Sequence, residues 1–307
     1  MSDNRPFKKR LKYFFLYYFI LTVVGAARLL PRAFMISVFG FFGKLAFFLL
    51  KKERLKVHKH LRMAFKNEKT ETELNRIAKQ TFVNLGKNAV DVFRYAVTDD
   101  LTKIVKIEGK EHFDKALEAG KGVVGLTCHL GSFDTGAAFV HQLGYKINIV
   151  GAPLKDPRLD KLVHGNRVLK GAKYIPRGGS SLPLIRALKA GETVFLLIDQ
   201  DIPKIQGVFV NFFGIPAYTP IGAALMAMKT GAKVIPFIMH RNPDDTHTLT
   251  IDQEIPIVNT GNEQEDLVTN TQAMTNVLER FIRLYPEQWV WMHERWNTKP
   301  ENLKAFT

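Results

Sequence analysis

The chain has 307 residues, 46% of them hydrophobic and 24% charged, enough to bury a sizeable core in one large α/β domain or two small ones. A single cysteine, Cys128, excludes an internal disulfide and fits a reducing compartment. Of the net charge of +15, +11 lies in residues 1–60, where 13 Lys or Arg face two acids. A nucleic-acid face would interleave such charge with polar surface, whereas here it accompanies a Phe-rich apolar segment, so a basic nucleic-acid-binding protein is set aside.

Tyr13 to Ala27 is fifteen residues without a charge, crowded with Phe and Tyr and preceded by Lys8, Lys9, Arg10 and Lys12. After Arg28 and Pro31-Arg32 a second apolar run follows, Ala33 to Leu50, broken only by Lys44. The first run falls short of the roughly 20 residues a spanning helix wants. A cleavable signal peptide begins in the same way, but more apolar sequence follows here where a polar mature start belongs. Aromatic content and basic flanks predict a helical hairpin at a membrane interface, drawn to anionic lipid. A spanning anchor and a buried helix pair of a soluble core are the alternatives.

Lys51 to Lys69 is polar and basic. Thr72 to Val97 reads as a helix with Leu74, Ile77, Ala78, Phe82, Leu85 and Ala89 at three and four spacing, a core stripe to which no chemistry is assigned. Apolar runs at Val123–Leu126, Ile147–Val150, Thr193–Ile198 and Val234–Met239 then read as strands. Helical patterns near 132–143, 158–170, 181–190 and 217–230 separate them. A hairpin-like stretch around 237–257 and a helix from Gln264 to Leu284 complete the chain. The alternation predicts an α/β fold with a mixed, largely parallel sheet covered by helices and an N-terminal membrane-associated helical segment. The division of labour expected is residues 1–55 for anchoring and 56–307 for catalysis.

Ligands of such sheets gather at the carboxyl ends of the strands. The turn after Val123–Leu126 carries His129 and Asp134, and the turn after Thr193–Ile198 carries Asp199-Gln200-Asp201. Tyr174 to Gly179 sets Arg177 on a glycine-rich turn before a helix, suited to gripping a phosphate or carboxylate. In regular helix, five residues turn about 500°, so His129 and Asp134 meet only if the histidine lies in the loop and the aspartate in the first helical turn. An oriented His–carboxylate pair there can activate a hydroxyl. Taken singly, each residue also has a plain structural reading: Asp134 or Asp199 as a helix cap, His129 as packing, Arg177 as a solvated charge. Cys128 beside His129 is read as a small buried residue at a strand end, because strand neighbours point opposite ways. His129, Asp134 and His141 lack a coherent ligand spacing, so no metal is expected.

The ordered set of motifs resembles the lysophospholipid acyltransferase superfamily, and within it the late lauroyl and myristoyl transferases of lipid A biosynthesis. The resemblance runs from the N-terminal segment to Pro300. It rests on His129–Asp134, on Asp156-Pro157-Arg158-Leu159-Asp160-Lys161-Leu162 leading to Arg167, on Ile175-Pro176-Arg177, and on Gly191-Glu192 with Asp199-Gln200-Asp201. Val208 to Pro236 and the segment Pro286 to Trp296 complete it. The lipid A enzymes more often carry Glu where this chain has Asp134, and a related branch acylates phosphatidylinositol mannosides, so the acceptor stays open.

The resemblance implies that His129 takes the proton from an acceptor hydroxyl while Asp134 holds the imidazole in the right tautomer. The hydroxyl then attacks an acyl thioester, with backbone N–H groups near the helix start receiving the oxyanion. It implies substrate-binding roles around the acceptor for Arg167, Arg177 and Asp199. The donor it implies is an acylated acyl carrier protein, or acyl-CoA as the alternative, with a glycolipid acceptor and no bound cofactor. The place it implies is the cytoplasmic face of the bacterial inner membrane. Trp289, Trp291 and Trp296 read as packing, or alternatively as lipid-facing. A lipid hydrolase would want a serine elbow, and Leu130 and Asp134 stand where the glycines flanking Ser132 would have to be.

Overall fold

A computed structural model describes residues 6–95, 100–154, 156–161 and 171–302. Four helices lead: α1 (Phe7–Leu29), α2 (Arg32–Leu49), α3 (Lys51–Phe65) and α4 (Glu71–Tyr95). The α/β part follows as β1 (Val105–Glu108), α5 (Lys110–Glu118), β2 (Val123–Thr127), α6 (Phe133–Gln142), β3 (Ile147–Gly151), β4 (Lys173–Pro176), α7 (Leu182–Lys189) and β5 (Thr193–Leu197). It closes with β6 (Gly207–Phe212), β7 (Ile215–Pro220), α8 (Gly222–Thr230), β8 (Lys233–Arg241), β9 (His247–Ile251) and α9 (Glu263–Leu284).

Seven strands form one sheet in the order β1-β9-β8-β2-β5-β3-β4. β8, β2, β5, β3 and β4 run parallel, and β9 turns back against β8 to carry β1 with it. All five residues of β2 are buried, as expected of a central parallel strand covered on both faces. Phe113, Phe139, Phe195, Phe237 and Leu249 form the core on the α5–α6 face. On the other face Val124, Leu126 and Ile238 pack with Phe65, Met274 and the tryptophans of the C-terminal segment.

The mixed, largely parallel sheet expected from the alternation is present. The helix read at 217–230 is shorter, because residues 215–220 form β7, paired antiparallel with β6. Phe213 and Gly214 both take positive φ (56° and 72°), the two-residue hairpin turn whose backbone twist matches its strands. The helix expected at 158–170 begins within 157–161; its remainder lies outside the described residues.

The N-terminal pair is fastened to the rest at its second helix. Gly43 and Gly86 let α2 and α4 touch backbone to backbone: a Cβ on either would lie 2.3 Å from a carbonyl oxygen of the other helix. Arg32, the first residue of α2, donates from Nε to buried Asp91 on α4 at 2.9 Å. Arg241 at the end of β8 donates to both Asp91 Oδ2 (2.5 Å) and Asn88 Oδ1 (2.7 Å), and Asn88 Nδ2 donates to the carbonyl of Gly131 at 2.9 Å. This chain of contacts ends two residues from His129. The outward faces of the pair expose Phe14, Phe15, Phe19, Phe34, Phe41, Phe42, Phe48 and Leu49. Among the described helices, α2 alone is long and apolar enough to cross a bilayer, by length and composition.

Candidate active site

Three strand ends converge on the carboxyl rim of the sheet. β2 stops at Thr127 and delivers His129; β5 stops at Leu197 and delivers Asp199; β4 stops at Pro176 and delivers Arg177. The turn that carries His129 is set down tightly. Gly131 has φ +57°, and a Cβ on it would lie 2.1 Å from the carbonyl oxygen of Met239 on β8, so a side chain there would lift the turn off the sheet.

His129 meets a carboxylate, but from β5 rather than from its own helix. Its Nδ1 lies 2.8 Å from Asp199 Oδ1, and its backbone N–H donates to Asp199 Oδ2, also at 2.8 Å. Trp289 Nε1 supplies a third donor, to Oδ2 at 2.8 Å. Asp199 accepts only, so Nδ1 carries the ring proton and Nε2 is left as a base. Gln200 Nε2 lies 3.1 Å from that nitrogen, which its amide can cap as a donor. The Asp199 side chain is 1% accessible and that of His129 24%, so substrate reaches the imidazole and not its partner.

The electrostatics follow from this arrangement. Burial alone would raise the carboxyl of Asp199, but the charge and ring hydrogen bond of His129, its backbone N–H and the Trp289 indole outweigh it and hold the group at about 2. Burial likewise works against charging His129, yet Asp199, and then the charge of Asp134, raise its pKa above the ordinary histidine value, with Arg177 opposing them. Burial and the nearby Asp199 push the Cys128 thiol well above its ordinary value, which leaves it a neutral core residue.

Asp134 occupies the first turn of α6 and lines the same cavity, where the helix dipole favours its charge. The resemblance implies that Asp134 holds the imidazole; the hydrogen bond of Nδ1 goes to Asp199 instead, and Asp134 acts on His129 through its charge. Arg177 is exposed at the cavity rim. Arg167 lies outside the described residues. Gln200 and Trp289 carry contacts with the dyad that sequence reasoning missed. Gln200 was adjacent to a named aspartate, and Trp289 was visible only as an aromatic.

His129 opens on a cavity of about 590 Å³ that wraps around the carboxyl edge of the sheet. Ala137, Phe195, Phe237, Met239 and Leu249 line it on the α6 face, and Leu184, Ile198, Ile221, Ala223 and Met226 line it beneath α7 and α8. One basic nitrogen on a largely apolar cavity, with an arginine at the rim, suits deprotonation of a hydroxyl on a molecule with a long hydrocarbon part.

A family model described as bacterial lipid A biosynthesis acyltransferase matches residues 4–298. The chain is 27% identical over 272 residues to the lipid A biosynthesis lauroyltransferase of Escherichia coli (strain K12), covering 86% of this chain and 85% of that one. It is 26% identical over 270 residues to a lipid A biosynthesis acyltransferase of Haemophilus influenzae, covering 86% and 83%. Over 199 residues it is 28% identical to a phosphatidylinositol mannoside acyltransferase of Mycobacterium tuberculosis, covering 62% and 59%.

Proposed function

As a member of the bacterial lipid A biosynthesis acyltransferase family, the chain is an acyl-transferring enzyme, and we propose that it moves a fatty acyl group from an acyl thioester to a hydroxyl of a lipid A precursor. The observation that carries the reaction is His129, whose Nδ1–H is committed to buried Asp199 while Nε2 faces the cavity. The acceptor hydroxyl displaces the Gln200 amide and gives its proton to Nε2 as its oxygen attacks the thioester carbonyl carbon. The tetrahedral oxyanion is stabilised by the amino end of α6. Collapse breaks the carbon–sulfur bond, and the imidazolium returns the proton to the departing thiolate. Asp199 and Asp134 stabilise the imidazolium formed in between.

In this reading the donor is an acylated acyl carrier protein, with acyl-CoA as the alternative, and no bound cofactor takes part. The apolar lining of the cavity holds hydrocarbon, and Arg177, with Arg167, meets an anionic group of the acceptor. The exposed aromatics of α1 and α2 enter the cytoplasmic leaflet of the inner membrane, and the surrounding Lys and Arg meet its anionic lipid. Residues 1–55 thus anchor, and 56–307 catalyse.

The test is transfer of labelled acyl chain from acyl carrier protein and from CoA to a panel of glycolipids in detergent. Wild type acylates a lipid A precursor, and His129→Ala loses at least about 10³-fold in rate. Transfer confined to phosphatidylinositol mannosides would move the acceptor assignment to that of the mannoside-acylating relatives. Free fatty acid with every acceptor, or turnover indifferent to His129→Ala, would sink the mechanism.

A further inference from the structure

The segment after α9 buries its three tryptophans in the core and also bonds to the strand-end turns. Residues 286–298 bond in sequence to the turn after β2, the end of β8 and the turn after β5. Gln288 accepts from the N–H of Gly131 through its carbonyl (3.0 Å), and its side chain closes a two-way bond with the backbone of Arg241. His293 Nε2 accepts from the N–H of Asp201 at 2.9 Å. Thr298 donates to the Asp201 carboxylate from both its N–H and its hydroxyl, at 2.6 Å each. Between these two clamps Trp289, 1% exposed, donates its indole N–H to Asp199 Oδ2.

We infer that Trp289 is a positioning residue for the reaction, acting on His129 through Asp199. A carboxylate joined to the imidazole through one oxygen can still rotate about its Cβ–Cγ bond. Here Oδ2 is fixed by two donors, the His129 backbone N–H and the indole, so Oδ1 is left aimed at His129 Nδ1. The indole itself is held: Trp289 bridges Leu130 in the catalytic turn and meets Trp291 and Phe212 edge-on, with ring centroids 4.7 and 5.7 Å away. Trp donates and never accepts, so the bond specifies an ionised carboxylate and disfavours a protonated one. A phenylalanine in its place keeps the ring packing and deletes this one donor.

The inference rests on the acyl-transfer reading for its kinetic arm, so a second arm reads His129 directly. With Trp289→Phe, Asp199 keeps a charge less shared with other donors, and the imidazolium of His129 gains stability. The His129 pKa read by NMR of the ring nitrogens rises by about half a unit to one unit, and the acid limb of the kcat/KM profile moves up with it. At neutral pH kcat falls about tenfold with KM unchanged. Trp291→Phe is the packing control: its Nε1 donates to the carbonyl of Pro286 and does not touch Asp199. That variant loses thermal stability while its pH limb and His129 titration stay where they are in the wild type. The inference is overturned if Trp289→Phe leaves kcat and the His129 titration unchanged, or if Trp291→Phe moves the titration equally. If the ring titrates as expected but His129→Ala still transfers acyl chains, the catalytic reading fails while the positioning contact stands.

Discussion

The two ends of this molecule each invert the ordinary rule of apolar inside and charged outside, and they do so in opposite senses. On α1 and α2, large side chains such as Phe15, Phe41 and Phe48 are exposed, while the inward face of α2 buries Met35, Ile36 and Phe47 and presents Gly43 where the backbone of α4 comes closest. On the carboxyl rim of the sheet, Asp199 and Asp201 are buried among strand ends, each with all its oxygens engaged. Uncovered aromatics are unfavourable until something covers them, and a buried carboxylate is unfavourable until donors surround it. The rim has its donors within the chain. The hairpin's outward face has no cover among the described residues, and that asymmetry is the physical content of the membrane proposal.

The largest effect should come from the rim. Asp199→Asn keeps the shape and removes the charge that holds Nδ1–H, and activity should fall about 10³- to 10⁴-fold. The sign of the pH effect is opposite to that of Trp289→Phe. Asp199 raises the His129 pKa, and only the neutral imidazole accepts a proton, so wild-type activity is lost as pH falls through that raised value. In the residual activity of Asp199→Asn the acid limb moves to lower pH; a limb that stays in place would break the pairing of these two groups.

The hairpin should respond through binding rather than chemistry. Replacing Phe41, Phe42 and Phe48 together by Ser should weaken association with anionic vesicles by at least about a thousandfold, since burying each exposed aromatic is worth about 1.5–3 kcal/mol. Turnover of a short-chain acceptor in detergent should be unaffected. Equal vesicle binding by the two proteins would show that the uncovered face meets something other than lipid. The smallest effect is on stability. Gly43→Ala forces a Cβ against the backbone of α4 and should cost about 1–3 kcal/mol in chemical denaturation, without altering the rate per folded molecule. An unchanged denaturation midpoint would mean that α2 is not seated on α4 in solution.

Much of this was legible in the residues. Continuous β-branched runs marked the buried parallel strands, and the strand-end rule brought His129, Asp199 and Arg177 to one rim. What spacing did not show was which carboxylate the imidazole would choose. H-x4-D suggests a local pair, but Asp199 is 70 positions from His129 and becomes its neighbour only because β2 and β5 pair in parallel register, Thr127 opposite Leu197. The Trp289 contact was hidden for the same reason, since an indole that packs and an indole that donates look alike until the fold places an acceptor beside it. The β6–β7 hairpin was missed although Gly214 announced it, because the alanine-rich residues after it read as helix.

The backbone contact between α2 and α4 has a geometric consequence for selectivity. Two helices that touch through glycines have no slack of side chains between them, and Arg32, Asp91, Arg241 and Asn88 extend the same fixed spacing to the turn that carries His129. Once the outer face of α2 rests on a bilayer in the proposed way, the imidazole stands at one set altitude above the lipid plane. Hydroxyls of a glycolipid headgroup differ in just that coordinate, so the protein would choose among them as a depth gauge does, by where along the membrane normal its base is held.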